Sequence, residues 1–182
     1  MPQSPAHPAV SPVHHRPGGG FRNPPGSPPR RARLWHYLKF LLWEMRTKRL
    51  PPLPDGLTAP GKPDLAALEE GALAWLGHAC FAIRLGGKLI LTDPYLGDAA
   101  GPMGLGPRRF LAPSLRAQEL PQLDLIAISH NHYDHLDTAA LKAYRWRSET
   151  PVVCPLGLGA SLRRLGFADV TELDWWEQHS LG

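Results

Sequence analysis

Residues 124–129 of this chain, DLIAIS, form a nearly continuous apolar run. They lead straight into Ser129-His130-Asn131-His132-Tyr133-Asp134-His135-Leu136-Asp137. An uninterrupted apolar run of this length suits a strand buried on both faces, and the strand runs directly into a dense set of metal-ligand side chains. Neutral imidazole and carboxylate are usual nitrogen and oxygen ligands of zinc. His130 and His132 alternate, so they can converge on one ion. Asp134 and His135 are adjacent and can address a second ion nearby. A strand that ends in such a loop delivers its ligands to the edge of a sheet, where sites of α/β folds lie.

The surrounding pattern is α/β. ALAWL (72–76), CFAIRL (80–85) and Lys88–Thr92 read as strands, with Gly86-Gly87 as a hairpin turn between the last two. Asp137 is placed to cap a helix through AALKAYRW, because its carboxylate can accept backbone N–H bonds. PVVCP (151–155) and DVTELD (169–174) read as further strands, and Leu158–Leu165 as a helix stopped by Gly166. The order is a run of paired strands, then strand, helix, strand, helix, strand. Residues 97–113 are Gly/Pro-rich and without periodicity. A loop of that length inside a domain is often functional, here as one wall of a site.

His130, His132, Asp134 and His135 match the signature of the metallo-β-lactamase superfamily. The longer string SHNHYDHLD, with WLGHA at 75–79, TDP at 92–94, LDWW at 173–176 and GGFRNP at 19–24, resembles the branch that includes N-acyl-phosphatidylethanolamine-hydrolysing phospholipase D and its bacterial relatives. The resemblance implies an αββα sandwich with two zinc ions at its open edge. His130 and His132 would hold the first ion, Asp134 and His135 the second. Iron or manganese at the same donors stays open, since availability often decides. The implied reaction is hydrolysis of a phosphodiester or related ester, including that of a phospholipid, by a zinc-activated hydroxide, with Asp134 the candidate catalytic residue. Asp93, which ends the strand KLILT, is expected to orient a ligand histidine. His78, in the WLGHA turn, is expected to make a structural hydrogen bond beside the site rather than to ligate. Nothing in the sequence marks the substrate-binding residues.

The resemblance also implies a third histidine for the first metal, a bridging Asp and a further histidine, all from segments after the LDWW strand. The sequence ends at Gly182 and His179 comes too soon to fill one of those places. The expectation is therefore the N-terminal half of the fold, a fragment of a longer hydrolase. The alternatives are another hydrolase of the superfamily, such as a lactonase, or an inactive remnant. The uncovered sheet face of a half-sandwich would favour association.

The first 62 residues differ in kind from the rest. They hold 10 Lys/Arg and 2 Asp/Glu, about +8, whereas residues 63–182 hold 10 and 14, about −4. The overall charge of +4 thus belongs to the N-terminal third, and the acidic remainder argues against a nucleic-acid surface. Residues 1–33, with nine Pro among the first 30, read as a disordered tail. In residues 34–49, Leu34, Leu38, Leu41, Leu42 and Met45 share one helical face, widened by Trp35, Tyr37 and Trp43 and flanked by Arg and Lys. Such a helix either packs on the domain or lies in a membrane interface. Residues 50–63 read as a linker and 64–182 as the metallo-β-lactamase-like domain. Two cysteines, Cys80 and Cys154, are too few for a disulfide framework and read as buried packing. No signal-peptide pattern is present, so the expected location is the cytoplasm or the inner membrane face.

Overall fold

The computed structural model describes residues 13–28, 34–36, 38–39, 42, 54–58, 61–101 and 106–182. The chain divides into two compact units, 1–50 and 51–182. In the first, Gly18, Gly19 and Gly20 take φ of 83°, 102° and 81°. Glycine adopts this left-handed backbone without the penalty of a Cβ. The chain reverses there, with the Arg22 N–H donating to the His14 carbonyl at 2.8 Å and His15 bridged to Phe21. Composition predicts disorder over 1–33. Of that span, residues 13–28 are described and contain this turn, while 1–12 and 29–33 lie outside the described residues. Residues 34–36, 38–39 and 42 are helical, with Leu34, Trp35, Leu38 and Leu42 exposed. The remainder of the expected 34–49 helix lies outside the described residues. Among those described, no helix is long and apolar enough to cross a membrane.

The second unit is built on a sheet that has six strands among the described residues: β1 (Leu73–Gly77), β2 (Cys80–Leu85), β3 (Lys88–Thr92), β4 (Leu125–Ala127), β5 (Val152–Pro155) and β6 (Val170–Leu173), in that spatial order. β1–β2–β3 are antiparallel. The β2–β3 hairpin turns on Gly86 and Gly87 at φ 60° and 71°, the two consecutive positive values of a type I′ turn. β3 to β6 are parallel, so each junction needs a crossover. Residues 93–124 supply the first, α1 (Thr138–Ala143) the second and α2 (Gly159–Arg164) the third. Gly166, at φ 101°, comes just after the end of α2. The mixed α/β architecture expected from the sequence is thus present.

Register explains which face is core. Ala74, Ala82, Leu91, Ile126, Val152 and Val170 form one cross-strand row. All but Ala74 are buried in the main cluster, together with Leu141 and Tyr144 near α1 and Leu162 of α2. Each fully buried aliphatic side chain of this kind contributes about 1.5–3 kcal/mol. The adjacent rows, including Phe81, Ile83, Ile90 and Val153, point to the opposite face and are only half-buried. Cys80 and Cys154 sit on the core side as free thiols. Burial pushes them up to about 12 and about 11 respectively, so both are protonated packing groups at neutral pH.

Two polar devices fix the crossovers. Asp137 Oδ1 accepts from the N–H groups of Ala139 and Ala140, capping α1, while its Oδ2 accepts from the Gly97 N–H at 2.8 Å. The same carboxylate therefore pins the exit of β3 to the start of α1. At the other end of α1, the buried Tyr144 hydroxyl accepts from the Leu123 N–H at 2.9 Å and bonds Thr150 Oγ1 at 2.8 Å. Leaving that buried N–H without a partner would cost about 1–3 kcal/mol.

Candidate metal centre

β1 and β3 run in the same direction because β2 is antiparallel to both, and β4 is parallel to β3. The C-terminal ends of β1, β3 and β4 therefore open on one edge of the sheet. That edge receives His78 from the β1–β2 turn, Asp93 just after β3, and Ser129 to Asp137 just after β4. Segments far apart in sequence meet there for a topological reason.

Asp93 organises the edge. It is only 7% exposed, and its backbone sits at φ 37°, a left-handed conformation uncommon outside glycine. Its Oδ1 accepts from the Ser129 N–H at 2.7 Å. Its Oδ2 accepts from the Ser129 hydroxyl at 2.7 Å and from His135 Nδ1 at 2.9 Å. With Nδ1 donating, the lone pair of His135 is on Nε2, which faces the open edge. The Ser129 hydroxyl, with its proton directed at Asp93, can accept from His130 Nδ1 at 2.9 Å. That arrangement puts the His130 lone pair on Nε2, 3.0 Å from His132 Nδ1. One buried carboxylate thus sets two imidazole tautomers, one directly and one through a serine. The tight turn after His132 is held by the His132 carbonyl, which accepts from the N–H groups of His135 and Leu136 at 3.0 and 2.7 Å.

Two donor groups result. His130 Nε2 and His132 Nδ1 form the first. Burial, then repulsion from His135 and His132, holds His130 below the usual imidazole range, which favours the neutral form a metal needs. Asp134, His135 and His78 form the second, with ligand atoms all within 4.8 Å of one another. His78 Nε2 lies 3.0 Å from Asp134 Oδ2 and 3.4 Å from His135 Nε2. The two groups adjoin, the His130 and His135 ring centroids being 4.0 Å apart. Nitrogen and carboxylate oxygen donors at these separations are the chemistry of a divalent transition metal.

A cleft of about 320 Å³ opens beside the second group, lined by Trp75, His78, Tyr95, Arg108, Phe110 and Asp134 among others. Its outer wall, 107–112, comes from the Gly/Pro-rich loop; residues 102–105 of that loop lie outside the described residues. Arg109 braces this wall. Its guanidinium lies 3.9 Å from the Tyr95 ring centroid, donates to the Gly97 carbonyl at 2.9 Å and to the Tyr95 carbonyl. Burial also raises the Tyr95 phenol above its usual range.

The residues singled out in the sequence all lie at this edge: His130, His132, Asp134, His135, Asp93 and His78. Asp137 is occupied by capping. Ser129, Tyr95 and Arg109 carry contacts that the sequence pattern does not assign. Ser129 has one signal, its place directly before His130. Arg109 has none, because its partners are backbone carbonyls.

The β-lactamase superfamily domain matches residues 88–182 of the chain, and the chain belongs to that superfamily. It is 34% identical over 143 residues to an uncharacterized protein of Mycobacterium tuberculosis, covering 76% of this chain and 38% of that protein. It is 40% identical over 119 residues to N-acyl-phosphatidylethanolamine-hydrolyzing phospholipase D 1 of Caenorhabditis elegans, covering 60% of this chain and 33% of that protein. Among solved structures, it is similar to an isothiocyanate hydrolase from Delia radicum gut bacteria, with 25% identity and a TM-score of 0.45 over 56% of this chain and 41% of that one. The chain thus spans well under half the length of these relatives.

Proposed function

We propose that this chain carries the metal-binding part of a metal-dependent hydrolase that acts on a phosphodiester or related ester, with a phospholipid as the favoured substrate class. The observation that carries this reading is the convergence of His130, His132, Asp134 and His135 at one sheet edge, with His135 and His130 fixed by Asp93 and Ser129 so that a lone pair is free on each. The resemblance to the nematode phospholipase D supports the phosphodiester class.

Two zinc ions are the proposed cofactor, one at His130 and His132, one at Asp134 and His135. A divalent ion lowers the pKa of bound water from 15.7 to about 7 and acts as a Lewis acid on the phosphoryl oxygen. The chain's own residues do the rest. Asp93 holds the Nδ1 proton of His135 and keeps its ring aligned. Ser129 relays the same carboxylate to His130. The cleft beside Asp134 offers Trp75, Tyr95 and Phe110 to an apolar substrate portion and the Arg108 charge to an anionic one.

Chain dialysed against zinc is expected to retain the metal and, supplied with any segments that complete the domain, to cleave an N-acyl phosphatidylethanolamine in preference to a lactone. A preparation that holds zinc but opens only the lactone would move the assignment to the lactonase alternative. Failure to retain zinc would sink the metal reading itself.

Residues 34–49 are proposed as a peripheral lipid contact, on the strength of the exposed Leu34, Trp35, Leu38 and Leu42 among basic neighbours. Co-sedimentation with anionic vesicles is expected to fall when residues 1–50 are removed. Equal sedimentation of the two forms would discard the proposal.

A further inference from the structure

We infer that His78, from the β1–β2 turn, is a third protein ligand for the metal held by Asp134 and His135. This rests on the proposed metal-binding function and adds a residue outside the His-x-His-x-Asp-His motif.

The geometry points there. His78 Nε2, His135 Nε2 and Asp134 Oδ2 form a triangle with sides of 3.0, 3.4 and 3.8 Å. Ligand atoms bound at 2.0–2.1 Å around a tetrahedral zinc are about 3.3 Å apart. The three atoms therefore match one face of such a polyhedron, and two of the three residues, His78 and Asp134, also line the cleft. His135 is committed through Nδ1 to Asp93, so Nε2 is the nitrogen it can present.

His78 is held in this position from behind. Its backbone adopts φ 53°. The indole N–H of Trp75 donates to the His78 carbonyl at 2.8 Å, and the imidazole meets the Tyr95 ring edge-on with centroids 6.0 Å apart. Topology requires the proximity: the β1–β2 turn and the end of β4 share one sheet edge. An ordinary His–Asp ion pair would also place Nε2 near Asp134. The two roles differ in sign. As a competitor for Asp134, His78 would weaken metal binding, so its removal would leave affinity unchanged or higher. As a ligand, its removal lowers affinity.

The test uses the full 182-residue chain carrying His130→Ala and His132→Ala, which leaves the second donor group alone. Zinc affinity is measured by competition with a chromophoric chelator, and cobalt(II) is added separately to record its visible absorption. His78→Phe keeps a ring against Tyr95 and deletes the nitrogen. His78→Asn keeps a side chain that tolerates the left-handed backbone, and it carries the same comparison if the Phe variant does not fold. We expect either substitution to weaken zinc binding by more than about 100-fold, beyond the roughly 10–100-fold typical of a residue that only positions a ligand, and to change the cobalt absorption. Unchanged or tighter binding overturns the inference. So does a background chain that binds no zinc while the parent binds it, an outcome that leaves the metal reading intact. A parent chain that binds no zinc overturns both.

Discussion

Replacing Asp93 by asparagine is expected to lower zinc affinity about 10–100-fold while changing folding stability little; replacement by alanine is expected to lower both. The difference comes from what each carboxylate oxygen does. Oδ1 accepts the Ser129 N–H and Oδ2 accepts from Ser129 Oγ and His135 Nδ1. An asparagine oxygen can replace Oδ1, and asparagine tolerates the φ of 37° found here. The asparagine NH₂ then faces His135. A donor cannot accept the Nδ1 proton, so the imidazole takes the other tautomer and its Nε2 becomes protonated. The ligand atom is lost with the fold intact. Alanine instead removes every acceptor, so the Ser129 N–H, the Ser129 hydroxyl and His135 Nδ1 all lose the partner that ties β3 to the loop after β4. Chelator competition for zinc, paired with urea unfolding of the metal-free chains, reads the two quantities separately. An Asp93→Asn chain that binds zinc as tightly as the parent would show that tautomer control by Asp93 is unimportant.

How far the sequence discloses this site depends on whether an interaction is local. β2 and β3 are legible to the residue, because their apolar runs are bounded by His78-Ala79 and Gly86-Gly87 and end at Asp93. The cap at Asp137 is legible because its partners lie two and three residues away. β4 is shorter than its apolar run: only Leu125–Ala127 are paired as strand, and Ile128 and Ser129 continue toward the loop of His130 to His135. The motif itself is legible as a composition of donors. Its wiring is not. Ser129 reaches Asp93 across 36 positions, His78 reaches His135 across 57 and Arg109 reaches Tyr95 across 14. The first two exist because sheet order brings three strand ends to one edge, and no periodicity in the sequence encodes that order; the third closes within the 93–124 crossover, where a guanidinium meets backbone carbonyls.

Gly77→Ala is the substitution expected to do most harm outside the proposed ligands themselves. Gly77 takes φ 113°, beyond the small left-handed region that other residues visit. An alanine there must strain or move the backbone, at roughly 1–3 kcal/mol. Its Cβ would also meet Arg109, with the Nη1 closest and Cζ at 3.5 Å. That guanidinium has no slack, being held by the Tyr95 ring and by the carbonyls of Tyr95 and Gly97. Stability and site geometry should therefore fall together, because the next residue is His78 and the displaced arginine braces the cleft wall. Gly87→Ala is the control: its φ is 71° and its Cβ would meet nothing within 4 Å, so its cost should stay at the roughly 1–2 kcal/mol of a left-handed backbone alone. A double-mutant cycle isolates the steric part. If the close approach operates, Gly77→Ala costs less in an Arg109→Ala background than in the parent, with a coupling of about 0.5–3 kcal/mol. Equal costs in the two backgrounds would leave backbone strain as the whole effect and discard the close approach to Arg109.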